Sequence, residues 1–300
     1  MIYEYALDPE VLINWASNTR DFREFFREYG LGQPRVFSSF PKQKVNKLRS
    51  YLLQYTPADT QSIHSKRYTE MVTALTEAVV LREINENTSG VWQQDVLEEH
   101  ARLAFHAVLT NQPLAIPDNI TPETMYEVGS VWNHSRQVNV ERVQEEFQRV
   151  LINLLRYSSE KIVFVDAYAW NNDSIITIAE LIKGSFQKKP NCNVPEFVVL
   201  FKEKFDKSNP NAAFVKNKIL EKIDLDISLS VIELIESTSS DVFHNRCVLS
   251  ELGGVIYGHG LDLTDNYQET DEAILMEKQI YEKKWNQFVE NVLFTIQSKA

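Results

Sequence analysis

His244, Arg246 and Glu251 stand in the spacing H-x-R-x4-E, and Gly258 follows after six further residues. Side chains alternate across a β-strand, so residues 244 and 246 on one extended strand would project an imidazole and a guanidinium from the same face. That pair suits phosphorus chemistry. Arginine offers a planar fork to two phosphate oxygens, and histidine either attacks phosphorus or supplies a proton. The surrounding segment, FHNRCVLSELGGVIYGHGLD from Phe243 to Asp262, holds four of the nine glycines. Set among β-branched and aromatic residues, these glycines read as backbone that turns tightly or closes on a ligand.

Each candidate has a plainer alternative. Arg246 has one in an internal ion pair with Asp166 or Glu251 that would orient the sheet. His244 has one in a structural histidine, and His259, between Gly258 and Gly260, is either a second phosphate contact or an exposed turn residue. Asp166 lies near the end of the run KIVFVDAY (161–168), at the carboxyl end of a predicted strand, where α/β folds place their ligands.

The pattern changes character along the chain. Residues 1–157 read as helical: Asp8-Pro9 starts a first helix as an N-cap with proline behind it, followed by Val11, Leu12 and Trp15 at helical spacing, and further helices are expected at 20–29, 42–55, 60–85, 91–109, 121–132 and 138–157. Residues 158–300 read as alternating strands and helices: strands at 161–168, 196–202, 228–235 and across 242–257, helices at 171–187 and 210–223, and one or two closing helices over 271–298. The expected architecture is therefore an all-α N-terminal domain (1–157) followed by an α/β domain (158–300), a mixed sheet flanked by helices. The Trp15, Phe22, Phe25, Phe26 series has helical spacing and reads as core rather than as a ligand cage.

On these residues a resemblance can be named. The stretch 244–258 resembles the HKD motif of the phospholipase D superfamily, H-x-K-x4-D-x6-G, with Arg246 for lysine and Glu251 for aspartate. VDAY at 165–168, FHNR at 243–246 and GHGLD at 258–262 are similar to the phospholipase D-like C-terminal domain of MIT-domain proteins and its relatives in bacterial antiphage defence loci; residues 158–265 carry the match. The resemblance implies a catalytic set of His244, Arg246 and Glu251, and a phosphate-binding set of Asp166, Tyr168, Gly258, His259, Gly260 and Asp262. It implies a metal-independent phosphodiesterase, a nuclease above all, with no cofactor. Two such motifs meet in active members, and this chain has one, so catalysis would require a homodimer. The alternatives are an inert module that binds phospholipid headgroups or nucleic acid, with peripheral membrane contact, and a structural subunit working with a defence-system partner protein.

Composition bounds these readings. A net charge of −11, shared almost evenly between the halves, argues against a chain-wide electrostatic grip on nucleic acid or anionic lipid. The local exception is 35–49, RVFSSFPKQKVNKLR, with five basic residues and no acid, which reads as a solvated helix face. No apolar run approaches membrane-spanning length, and the acidic start MIYEYALDPE is unlike a signal peptide, so a cytoplasmic location is expected. Cys192 and Cys247 have no disulfide or zinc spacing. His100 and His106, six apart, fall on different helix faces and form no metal pair.

Overall fold

A computed structural model of the chain describes residues 1–84, 89–202, 211–235, 243, 246–264, 269–292 and 294–300. They divide into two compact units, one of residues 2–135 with 190–192 and one of residues 136–189 and 193–300 with Met1.

The first unit is α/β, which corrects the all-α expectation. Its elements are β1 (Tyr3–Leu7), α1 (Pro9–Ser17), α2 (Thr19–Glu28), β2 (Arg35–Ser38), α3 (Val45–Leu53), α4 (Ile63–Leu75), β3 (Val79–Val80), α5 (Trp92–Arg102), β4 (Ala107–Leu109) and β5 (Asn119–Ile120). The five strands pair in parallel in the order β3-β2-β1-β4-β5. Tyr5, Leu7, Phe37 and Leu109 face a core built with α1 to α4, while Ala6 and Val108 face a smaller one with Trp92 and Val96 of α5. Strands of two to five residues buried on both faces show no alternation of apolar and polar positions, which is why they passed for helix ends and loops. The tails assigned to the helices at 60–85 and 91–109 contain β3 and β4, and no helix forms at 121–132. The helix starts were legible: Asp8 Oδ1 accepts from the Glu10 amide at 3.0 Å and caps α1. The basic run is split, since Arg35 is buried in β2 while Lys47 and Arg49 lie on α3.

The second unit is a mixed α/β layer: β6 (Gln137–Glu141), α6 (Gln144–Tyr157), β7 (Lys161–Val165), α7 (Asn172–Ser185), β8 (Glu196–Lys202), α8 (Ala212–Leu220), β9 (Leu229–Ile235), β10 (Arg246–Ser250), β11 (Gly253–Tyr257), β12 (Thr270–Leu275), α9 (Lys278–Trp285) and β13 (Thr295–Lys299). The sheet order is β13-β9-β8-β7-β10-β11-β12-β6. Strands β7, β8 and β9 are parallel, as expected for strands joined through helices, and their near-continuous apolar runs (KIVFV, EFVVLF) are buried on both faces. From β7 through β10, β11, β12 and β6 every pairing is antiparallel. Helix α6, placed before residue 158 in the sequence reading, belongs to this unit, and α6 and α7 pack on one another. The closing segment expected to be helical contains β12 and β13 around α9.

Candidate functional site

The pairing scheme brings four chain ends to one edge of the mixed sheet. Because β10 runs against β7, β11 against β10 and β12 against β11, the carboxyl end of β7, the start of β10, the end of β11 and the start of β12 lie together. These ends carry Asp166, Arg246, Gly258 and Asp271. His244 lies outside the described residues.

Arg246 opens β10 opposite Tyr257 and is half-buried. Its Nη1 donates to the Gly258 carbonyl at 2.6 Å, its guanidinium carbon sits 5.3 Å from the centre of the Tyr168 ring, and its buried Nε has no hydrogen-bond partner among the described residues. Tyr168 is 46% exposed, so ring and guanidinium together face solvent. Asp166 is only 1% exposed, and its carboxylate accepts the Tyr168 amide at 2.8 Å and the Leu261 amide at 3.0 Å. Burial raises the pKa of this carboxyl, while the two amides and the nearby Arg246 charge oppose the shift. Neither Asp166 nor Glu251 is a hydrogen-bond partner of Arg246 among the described residues, so the internal pair weighed from sequence is not what holds the arginine.

Gly260 explains how closely this edge is packed. Its φ is +101°, and a Cβ there would lie 2.6 Å from Asp166 Oδ2 and 2.8 Å from Arg246 Cδ. Only glycine satisfies both requirements. Gly258 and His259 behave differently from the expectation that their backbone would face a ligand. Their amides donate to the two oxygens of Asp271, at 3.0 and 2.9 Å, and Asp271 is 5% exposed. What they leave open is the exposed His259 side chain. Asp262, expected to bind phosphate, instead receives Arg142 Nη2 at 2.5 Å, and Arg142 also reaches Glu269 at 3.1 Å. Asp262 thus ties down the loop after Gly260, and its negative charge is spent on an arginine.

Glu251 is not part of this cluster. It lies beyond the far end of β10, five residues of strand or roughly 16 Å from Arg246, and its carboxylate accepts the Ser158 hydroxyl at 2.6 Å and the Ser159 amide at 2.5 Å. Its work is to fasten the β10–β11 turn to the start of β7. This corrects its assignment to the catalytic set: five positions in sequence carry it past the strand to the opposite edge.

Asp271 and Arg142 are the residues that sequence reading missed. The signal for Asp271 was present in TDEAIL, whose alternating burial places Asp271, Ala273 and Leu275 inward as in a strand with one covered face. Buried polar atoms without partners collect nearby: besides Arg246 Nε, they include Tyr257 OH, Arg142 Nε and Asp262 Oδ1. Such atoms are few in native structures, and each calls for a partner beyond the described side chains. Among the described residues no three His, Cys, Asp or Glu side chains gather so as to hold a metal ion. Cys247 in β10 is buried and its thiol is pushed up to about 12 by that burial, which keeps it protonated.

No protein-family model matches the chain, and no curated protein matches it in sequence. Among solved structures it is similar to Nuc from Salmonella typhimurium, described as a phospholipase D family member, at 7% identity and a TM-score of 0.33 over 53% of this chain and 96% of that one. It is also similar to TrmBL2, an archaeal chromatin protein described as showing a novel mode of DNA binding, at 12% identity and a TM-score of 0.28 over 56% of each chain. Superpositions this loose do not define the fold or the activity of this chain.

Proposed function

We propose that the mixed-sheet unit binds a phosphodiester at the edge formed by Asp166, Tyr168, Arg246 and His259, in the manner of a phospholipase D-like domain. One observation supports this above the rest: a guanidinium held through Nη1 by a backbone carbonyl lies against the exposed Tyr168 ring, at the same strand ends that carry the exposed His259. The Gly258 carbonyl positions that arginine through Nη1, and the N–H groups of Nη2 are the ones a phosphate would take. The H-x-R pair and the DAY and GHGLD segments add the chemical precedent for phosphodiester ligands.

In the catalytic form of this reading, His244 supplies the nucleophile. A ring nitrogen attacks phosphorus, the P–O bond to the leaving alcohol breaks, and a second His244 in a homodimer protonates the departing oxygen. Water then cleaves the P–N bond, so the reaction is net hydrolysis without a cofactor. Incubation of the full chain with bis-p-nitrophenyl phosphate or single-stranded DNA in EDTA tests it. Turnover that is lost in His244→Ala supports the scheme, and turnover unchanged by that substitution contradicts it. The resemblance to domains of antiphage defence loci gives the biological setting, which a phage plaque assay comparing wild type with His244→Ala examines.

Binding without turnover is favoured by one specific contact. Arg246 Nη1 is already committed to the Gly258 carbonyl, which fixes the fork in one orientation and leaves it less free than a lysine to follow a reacting phosphoryl group. Under this reading the ligand is a nucleic-acid backbone or a phospholipid headgroup. Flotation with anionic vesicles separates the two, because retention dependent on Arg246 assigns the lipid. No described helix is long and apolar enough to cross a membrane, so any lipid contact made by these helices would be peripheral.

A further inference from the structure

The parallel-sheet unit contains a cavity of about 90 Å³ between α2 and the segment after β5. Trp132 and Tyr29 border it, both nearly buried, and Tyr126, 57% exposed, stands at its rim. Trp132 makes edge contacts with both tyrosine rings, at 5.2 Å to Tyr29 and 6.3 Å to Tyr126. Its remaining wall is apolar at Trp15, Phe25, Pro122 and Met125 and acidic along α2. Asp21, Glu24 and Glu28 follow one another along α2 at spacings of three and four, which puts three carboxylates on one helix face.

The charges of this wall are only partly answered. Glu28 pairs with Arg35, whose guanidinium carbon lies 4.1 Å from the centre of the Trp132 ring, and Glu24 pairs with the outward-lying Arg27 at 3.1 Å. Asp21 has no ion-pair partner among the described residues, and no lysine or arginine lines the cavity. Independently of the acids, the Tyr29 hydroxyl is buried and has no hydrogen-bond partner, on a residue that is 5% exposed. An unpaired buried hydroxyl is destabilising, a cost that a ligand able to hydrogen-bond there would recover. The negative field reaches the rim as well, where burial together with Glu28 and Glu24 raises the pKa of Tyr126.

Aromatic faces and carboxylates around a small space select a cation, and the apolar wall disfavours one that keeps its hydration shell. The acids do not converge to hold a metal ion. We propose that this cavity binds the protonated primary amine of an aliphatic chain, with the ammonium group between the rings of Tyr126 and Trp132 and the α2 carboxylates, donating a hydrogen bond to Tyr29. A free alkylamine and a lysine side chain share this chemistry. The site shares no residue with the phosphodiester edge, so either assignment can fail without the other.

Titration of the full chain by calorimetry at constant ionic strength tests it, using n-butylammonium for a free amine and Nα-acetyl-lysine-N-methylamide for a lysine side chain. The expected result is saturable binding of at least one probe, weakened about tenfold by Asp21→Asn and by Tyr126→Ala, with n-butanol not binding. Binding of the first probe only assigns a free amine, and tighter binding of the second assigns a lysine side chain. Both altered residues are surface-accessible, and an unchanged circular dichroism spectrum establishes that each variant is folded. The assignment is overturned if neither amine saturates, if n-butanol or tetramethylammonium binds as well as n-butylammonium, or if both variants bind like the wild type.

Discussion

At the scale of single residues the site is held by groups that surround Arg246 without carrying its charge. Asp166 and Asp271 each use a buried carboxylate to gather two backbone amides, and Gly258 returns its carbonyl to the arginine. Gly260→Ala would place a methyl group against Asp166 and Arg246 at a positive φ. It is expected to destabilise the unit by about 2 kcal/mol and to weaken phosphodiester binding with it, measured by chemical denaturation and by ligand titration. An alanine variant as stable as the wild type would show that the close approach is not maintained in solution. What was legible is which residues meet at this edge: Arg246, Asp166, Tyr168, Gly258 and Gly260 were named from the sequence, and the structure places them together. Geometry was less legible. Asp262 and Glu251 looked like members of the same set, but one is consumed by Arg142 and the other lies across the sheet.

At the scale of elements, helices announced themselves through caps and 3.6-residue spacing, while the strands of the first unit did not, being short and covered on both sides. The turn between β10 and β11 shows what an element-level role predicts. Removing the Glu251 carboxylate in Glu251→Ala strips acceptors from the Ser158 hydroxyl and the Ser159 amide, and is expected to cost about 2–3 kcal/mol while leaving the phosphodiester affinity of the folded protein unchanged. A loss of affinity in fully folded Glu251→Ala would return this residue to the site. In the parallel-sheet unit, His134 donates to or accepts from the Tyr5 hydroxyl at 2.8 Å, and burial, then the neighbouring His106 and Arg35, lowers its pKa to about 3. The unfolded chain takes up this proton near pH 6.5 and the native state does not, so stability is full above pH 6.5 and is lost as pH falls from there toward 3. Thermal melts across that window are expected to show the loss, and His134→Asn to flatten it; a wild-type melting temperature constant from pH 6.5 to 4 would contradict the buried neutral imidazole.

At the scale of the whole molecule, a chain of net charge −11 would have to bind a polyanion through a local feature, and the sheet edge at Arg246 is the one proposed above among the described residues. Such binding would weaken steeply with salt if the ligand were nucleic acid, because each neutralised phosphate releases counterions. Hydrolysis adds a demand that binding does not, since one H-x-R motif per chain requires two chains. Activity per chain should therefore rise with protein concentration through the dimer dissociation range, as read by sedimentation and turnover on the same samples, whereas activity independent of concentration in a monomeric protein would exclude the two-histidine scheme. The most direct test is equilibrium titration of the full chain, at fixed low salt, with a labelled single-stranded oligonucleotide and with anionic vesicles, comparing the wild type with folded Arg246→Ala. The account predicts saturable binding to at least one of these ligands, weakened at least about tenfold by the substitution; wild-type protein that binds neither, or an Arg246→Ala variant that binds as well as the wild type, would contradict it.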